Sequence, residues 1–252
     1  MIEIKLINKA FADNHVLKNV STVFDRGKTN MIIGQSGSGK SVLAKCIVGL
    51  HEIDTGEILY DGRNFTKMSR NEKKELRKEI GMLFQGGALF DSLTVEENIS
   101  FPLTMFTKMS KSEIRDRANF CLERVALEGK NKLYPSEISG GMQKRVGIAR
   151  AIALNPKYLF CDEPNSGLDP RTAILIDNLI HEITVEYQMT TVIISHDMNS
   201  VFEIGEKIMF IFEGQNWWEG DKDTIILTNN KEINDFVYAS KFIREFKDRH
   251  RK

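Results

Sequence analysis

The stretch TNMIIGQSGSGKSVLAKCIVGL (29–50) decides the reading of this chain. A short apolar strand, Met31 to Ile33, runs into Gly34-x-x-x-x-Gly39-Lys40-Ser41, and a helix with apolar residues at Val42, Leu43, Cys46, Ile47 and Leu50 follows. Strand before and helix after make this a P-loop rather than a glycine-rich turn. The glycines let backbone N–H groups close around phosphates without Cβ clashes, and the helix presents its positive end to them. Lys40 reaches the β- and γ-phosphates, and the Ser41 hydroxyl can ligate Mg²⁺. The expected cradle is therefore Gly34, Gln35, Ser36, Gly37, Ser38, Gly39, Lys40, Ser41 and Val42.

Working outward, YLFCDEP (158–164) is an apolar strand ending in two adjacent carboxylates. In that arrangement Asp162 holds Mg²⁺ and Glu163 handles the attacking water. TTVIISHD (190–197) is a third β-rich run, ending at His196. The histidine either contacts the γ-phosphate or serves as a helix cap or core residue. Three strand ends converging suit an open parallel sheet, which binds its ligand at the carboxyl edge. EISGGMQKRVGIARAIALNP (137–156) adds a second exposed helix start. There Ser139, Gly140 and Gly141 offer a hydroxyl and open N–H groups to an anion. Val146, Ile148, Ala149, Ala151 and Ile152 form the apolar side of that helix, with Lys144, Arg145 and Arg150 mostly elsewhere. One nucleotide does not need two cradles in the same place.

The order and spacing of these motifs resemble the ATP-binding cassette (ABC) ATPases over about residues 1–225. The resemblance implies an α/β P-loop NTPase fold with a mixed β-sheet core, an antiparallel β subdomain and an α-helical signature subdomain over about 95–155. A short helical extension would occupy 226–252. Ser139-Gly140-Gly141 would be the signature motif, contacting the γ-phosphate of an ATP held by a second copy's P-loop, so that two chains form an ATP-bound homodimer. That places the surplus cradle. Phe11 would stack on adenine, with an aromatic that plugs the core between two strands of KLINKAFADNHVL as the lesser alternative. Gln85 would be the Q-loop residue, its amide reaching Mg²⁺ or the attacking water. Asp162 and Glu163 would be the Walker B acid and catalytic base, Ser166 to Asp169 the D-loop, and His196 the H-loop. Met142 stands where the family commonly has glutamine, and Asn165 where threonine or serine is common.

Composition sets the outer limits. A chain of 252 residues with 41% hydrophobic and 28% charged residues can bury a full core. Lys+Arg 35 and Asp+Glu 35 cancel, so no overall field favours nucleic acid. No apolar run approaches a membrane span, and MIEIKLINK is too short and charged for a signal peptide, so a cytoplasmic location is expected. Cys46, Cys121 and Cys161 form no CxxC and read as buried reduced thiols. IEIKLIN, VSTVF and GEILYDG read as antiparallel strands, SRNEKKELRKEIG (69–81) as a charged helix, and Ser110-x-x-Glu113 as a capping box. Asp169-Pro170 starts another helix, and a charged helix is expected over 231–252.

Three functional classes compete. DNA-maintenance relatives place long coiled coils between P-loop and signature, and ribosome-associated relatives carry two cassettes, so a transporter motor fits this single short cassette. MLFQGGALFDSLTVEENISFPL and PSEISGGMQKRVGIARAIALNP resemble the ATPase of the maintenance-of-lipid-asymmetry (Mla) phospholipid system, including Met142. That implies an integral-membrane permease, a lipid-carrying mammalian-cell-entry (MCE) domain protein and a STAS-domain regulator as partners. The ATPase itself would sit peripherally on the inner face of the cytoplasmic membrane. A polar amino-acid importer ATPase, or a non-transport ATPase signalling through a membrane partner in cell division, is the alternative. GGALFDSLTV (86–95) reads as a flexible, partly exposed apolar groove for a permease helix, making Gln85 to Val95 the expected contact, with an ordinary buried loop as the alternative.

Overall fold

The structure is a computed structural model and describes residues 1–238. Strands β1 (Ile2–Phe11) and β2 (Asn14–Phe24) lead to β3 (Thr29–Ile33) and α1 (Lys40–Ile47). β4 (Thr55–Tyr60), the short β5 (Arg63–Asn64), α2 (Arg70–Arg77) and β6 (Ile80–Leu83) follow. Three helices come next: α3 (Val95–Phe106), α4 (Lys111–Arg124) and α5 (Gly140–Ile152). Then come β7 (Tyr158–Asp162), α6 (Pro170–Glu186), β8 (Thr190–Ile194) and α7 (Met198–Ile204). The hairpin β9 (Lys207–Phe212) and β10 (Gln215–Gly220) precedes α8 (Lys222–Leu227) and α9 (Lys231–Val237). The helix expected over 231–252 is seen as α9, and its remainder, 239–252, lies outside the described residues. No helix among the described residues is long and apolar enough to cross a membrane.

The described residues divide into two compact units, one of residues 1–25, 29–66 and 194–238, the other of 26–28 and 67–193. In the first, β1 pairs antiparallel with β2 and β4, giving the order β2-β1-β4-β5, and the three segments read as antiparallel strands fall in β1, β2 and β4. Ile2, Ile4, Ile7, Leu17, Val20 and Ile58 face its core. The same unit holds β3 parallel to β9, with Ile33 opposite Phe210, and β10 antiparallel to β9. Every residue of β3 is buried, as expected of a parallel strand covered on both faces. Each of its two isoleucines contributes about 1.5–3 kcal/mol by leaving water.

The second unit carries the strand order β8-β7-β6 together with α3, α4 and α5. β6 runs parallel to β7, with Leu83 opposite Cys161. That register releases the chain at Gln85 and at Asp162-Glu163 from neighbouring strand ends. β6 stops one residue short of the expected Phe84, whose ring is exposed. Capping boxes at Ser69 and Ser110 start α2 and α4, and Asp169 with Pro170 starts α6. α5 lies close over β6: a Cβ on Gly81 would stand 2.4 Å from the Ala151 carbonyl oxygen, and one on Gly147 would stand 2.7 Å from Leu83 Cδ1. Small residues at this crossing therefore set how near the signature helix approaches the strand that feeds Gln85.

Candidate functional site

One group of candidate residues is built in the first unit, where β3 hands the chain to the loop Gly34–Gly39. Gly34 has φ +148, and a Cβ there would lie 2.3 Å from the Ile211 carbonyl oxygen, so no other residue fits. A Cβ on Gly37, at φ +80, would meet nothing within 4 Å, which leaves the loop's inner face open. Lys40 is 7% exposed and its Nζ donates to the carbonyls of Gly34 (2.8 Å) and Gln35 (2.9 Å), folding the ammonium back over its own loop. The Ser38 hydroxyl is buried with no hydrogen-bond partner. α1 starts at Gly39 with no side-chain cap, whereas every other α-helix among the described residues has a side chain accepting from its first-turn N–H groups. Open N–H donors, a lysine and an unsatisfied hydroxyl around a glycine hollow are the chemistry a phosphate chain needs.

Two further expected residues lie in the same unit. Phe11 ends β1 and is 43% exposed, which removes the core-plug alternative. His51 stands edge-on to its ring at 5.4 Å, and Lys9 Nζ lies 5.2 Å from the ring centroid, itself held by Asp54 at 2.8 Å. The Lys9 hydrogen bond, followed by that from the Ala10 N–H, holds the Asp54 carboxyl below its ordinary value. His196 is exposed just past β8, where the Ser195 N–H donates to the Ile32 carbonyl at 3.2 Å. It therefore leaves the sheet one residue from the strand that opens the phosphate loop. The next residue, Asp197, caps α7, so the cap role considered for His196 falls to its neighbour.

The second unit holds a separate group of candidate residues. Asp162 ends β7, and Glu163 follows at φ +49, a left-handed conformation that costs a non-glycine residue about 1 kcal/mol or more and survives only when its surroundings impose it. The Ser166 N–H closes this turn by donating to the Glu163 carbonyl at 3.2 Å, and α5 adds a second donor. Lys144, 5% exposed, donates through Nζ to the Gln85 carbonyl and to the Glu163 carbonyl, the latter at 3.5 Å. Burial is the main influence on this ammonium and lowers its pKa, while Cys161, Glu163 and Asp162 oppose that shift. Two turns further along α5, Arg150 donates to the carbonyls of Gly87 and Ala88, each at 2.8 Å. Gly87 (φ +74) and Ala88 (φ +45) are also left-handed. The far end of the same loop is fixed by Asn98, which is fully buried. Its Oδ1 accepts from the Phe90 N–H, and its Nδ2 donates to the carbonyls of Phe90, Leu93 and Thr94 at 3.0–3.1 Å.

These contacts correct two expectations. Lys144 and Arg150 read from the helix pattern as lying off the packed side of α5, yet both reach inward because their long arms carry donors to main-chain carbonyls of the Gln85 loop. The 86–95 segment is indeed partly exposed at Phe90 (42%), but its backbone is pinned at both ends rather than flexible. Neither Lys144 nor Asn98 was singled out by motif. Their signal is a charged or amide residue inside a buried helix face, which becomes legible only with the contact in hand.

Ser139 caps α5, its hydroxyl accepting from the Met142 N–H at 3.3 Å, and Ser139 and Gly140 are exposed. A Cβ on Gly141 would stand 2.6 Å from Thr172 Cγ2, so this glycine lets α5 close onto α6. Asp169 caps α6, accepting from the N–H groups of Arg171 and Thr172 (each 3.1 Å) and the Thr172 hydroxyl (2.5 Å). The Thr172 hydroxyl and N–H pull its pKa down. Asn165 donates to the buried Asp177 carboxylate at 2.8 Å, which accounts for an amide where a hydroxyl is common. The three thiols are buried and unbridged, and burial pushes Cys46 and Cys121 up to about 11.

With this geometry in place, the sequence profile described as "ABC transporter" matches residues 17–166. The chain belongs to the ABC transporter family. It is 39% identical to the methionine import ATP-binding protein MetN of Campylobacter jejuni, over 97% of this chain and 78% of MetN. It is 36% identical to the probable ribonucleotide transport ATP-binding protein mkl of Mycobacterium leprae, over 94% of this chain and 68% of mkl. Among solved structures it resembles the dimeric post-hydrolysis state of the ATP-binding cassette MJ0796 bound to ADP and Pi, with a TM-score of 0.80 and 33% identity. That match covers 88% of this chain and 99% of the other. It also resembles cbiO1 from Clostridium perfringens, with a TM-score of 0.84, 28% identity and coverage of 100% and 98%. The fold is thus the ABC-type P-loop NTPase fold, and the chain is an ATPase that uses ATP with Mg²⁺. Its Ser41 hydroxyl, Asp162 carboxylate and Gln85 amide oxygen are all hard oxygen donors, the set Mg²⁺ prefers.

Proposed function

We propose that this ABC ATPase works as a nucleotide-closed homodimer in which each ATP is held by one chain's P-loop and the other chain's signature motif. The observation that carries this is the pair of helix starts: α1 opens uncapped onto the phosphate loop, while Ser139 and Gly140 stand exposed at the head of α5 with no phosphate loop of their own. The dimeric form of the ADP- and Pi-bound relative supports it. In this reading Phe11 stacks on adenine, and residues 34–42 cradle the phosphates through backbone N–H groups. Lys40 exchanges its loop carbonyls for the β- and γ-phosphates, and His196 holds the γ-phosphate. Glu163 orients the attacking water and accepts its proton. Ser41, Asp162 and Gln85 hold the Mg²⁺, which supplies charge neutralisation on the phosphates. Asp169 keeps the D-loop in place by capping α6.

The membrane partner is an integral-membrane permease docked on Gln85–Val95, where the Phe90 ring packs at a tilt against Phe101, centroids 4.7 Å apart, and Met105 lies one turn further along α3, exposed. The chain then lies peripherally on the inner face of the cytoplasmic membrane. For cargo, the likeness of residues 82–103 and 135–156 to the Mla ATPase, with Met142 in the signature, favours phospholipid, an MCE-domain partner and a STAS-domain regulator. A second reading, an amino-acid importer, is favoured by the 39% identity to MetN. Vesicles holding this chain with its permease separate the two: labelled phospholipid moving between membranes supports the first, ATP-driven methionine uptake the second. The dimer reading itself is tested by Glu163→Gln. That variant should lose turnover by roughly a hundredfold or more and elute as a dimer when ATP is added. A monomer peak unchanged by ATP overturns it.

A further inference from the structure

The left-handed positions Gly87, Ala88 and Glu163 lie in the second unit, and α5 donates to the carbonyl of each: Arg150 to those of Gly87 and Ala88, and Lys144 to that of Glu163, which also accepts from the Ser166 N–H at 3.2 Å. Lys144 alone reaches two chain segments, because its ammonium also takes the Gln85 carbonyl. A buried ammonium satisfied by main-chain carbonyls of two separate loops has little to recommend it as a source of stability. An apolar side chain of similar volume would avoid the desolvation cost, and burial already lowers the lysine's pKa. Its geometry does something a hydrophobic residue cannot. With three donors at the end of one arm, it fixes the spacing between the Gln85 turn and the Glu163 turn, and ties both to the helix that begins at Ser139.

We propose that Lys144 is a positioning residue for ATP hydrolysis, holding the Glu163 turn and the Gln85 turn at a fixed separation and linking both to the signature helix. This rests on the reading of Glu163 as the base and Gln85 as the Mg²⁺ and water ligand. The bond from Lys144 is to the main chain of each, so its loss shifts the carboxylate and the amide without removing either. A shift of the order of 1 Å costs up to about a hundredfold in rate. The contact also gives the signature helix a direct hold on its own chain's catalytic turn.

The test is kinetic, on the full chain. Lys144→Met should lower kcat for ATP about tenfold or more, leave KM and ATP affinity within about threefold, and keep a single cooperative melting transition, lowered by the Gln85 carbonyl that loses its donor. Lys144→Arg, which keeps a cation with several donors, should recover most of that loss. In single-turnover phosphate release, adding Lys144→Met to Glu163→Gln should cost less than about twofold, because a residue acting through Glu163 has little left to position. Equal loss in the Met and Arg variants, or the full Lys144→Met factor persisting in the Glu163→Gln background, overturns the proposal. Should Lys144→Met not fold, Lys144→Gln, with a donor on a shorter arm, takes its place with the same outcomes. The Glu163 reading fails separately: Glu163→Gln alone would then leave turnover unchanged.

Discussion

Two loops carry most of this molecule's chemistry, and they are held in opposite ways. The phosphate loop at 34–39 supports itself: glycines supply its unusual backbone, and Lys40 returns to its own carbonyls. The Gln85 loop is held from outside, by Lys144 and Arg150 on α5 and by Asn98 on α3, and it places an alanine where glycine would be easier. A loop that grips the same phosphates in every cycle is best shaped by its own residues. On the proposed reading the Gln85 loop passes movement between a nucleotide and a membrane partner, a task for which a tie to the elements that move is better suited. The difference implies different failures when each is damaged.

The largest effect is expected from Gly34→Ala, which sets a Cβ 2.3 Å from the Ile211 carbonyl oxygen. A loss of about 2–4 kcal/mol from overpacking and strain should show as a lowered melting temperature together with near-complete loss of ATP binding. An alanine variant that binds ATP normally would break the idea of a self-shaped loop. Asn98→Ala should come next. It leaves the Phe90 N–H and the Leu93 carbonyl without the Asn98 side chain, though the Phe90 and Thr94 carbonyls keep their backbone partners, and should cost about 1–3 kcal/mol in denaturant unfolding, while ATP binding at the phosphate loop persists. If ATP binding fell with it in proportion, the two loops would not be independently supported. Phe90→Glu should have the smallest effect on the isolated chain, within about 0.5 kcal/mol because the ring is on the surface. In vesicles with the permease it should abolish transport. Transport at the normal rate would remove this face as the docking site.

The same contrast explains what the sequence makes legible. The P-loop, the acidic strand end at Asp162-Glu163, the caps at Ser110 and Asp169 and the antiparallel strands are all local: their determinants lie within a turn or two of each other, so spacing reveals them. Lys144 and Arg150 act across about sixty positions of chain onto carbonyls, which carry no side-chain signature. A helix wheel sorts such residues by charge and assigns them to solvent. Asn98 is hidden for the same reason, since an amide beside two glutamates in TVEEN looks like an exposed helix start until its bonds to Phe90, Leu93 and Thr94 are seen. Asn165 shows the reverse case, a departure from the common pattern that the buried Asp177 explains once its neighbour is known.

The central claim is that each catalytic site is shared between two copies of this chain, and mixing two inactive variants tests it most directly. Ser139→Arg destroys the signature and keeps the P-loop, whereas Lys40→Ala destroys the P-loop and keeps the signature. Each alone should bring ATP hydrolysis to background. Mixed in equal amounts with ATP, they should regain roughly a quarter of wild-type turnover, because half of the dimers pair unlike chains and each of those has one complete site. A mixture as inert as its two components would contradict the shared site.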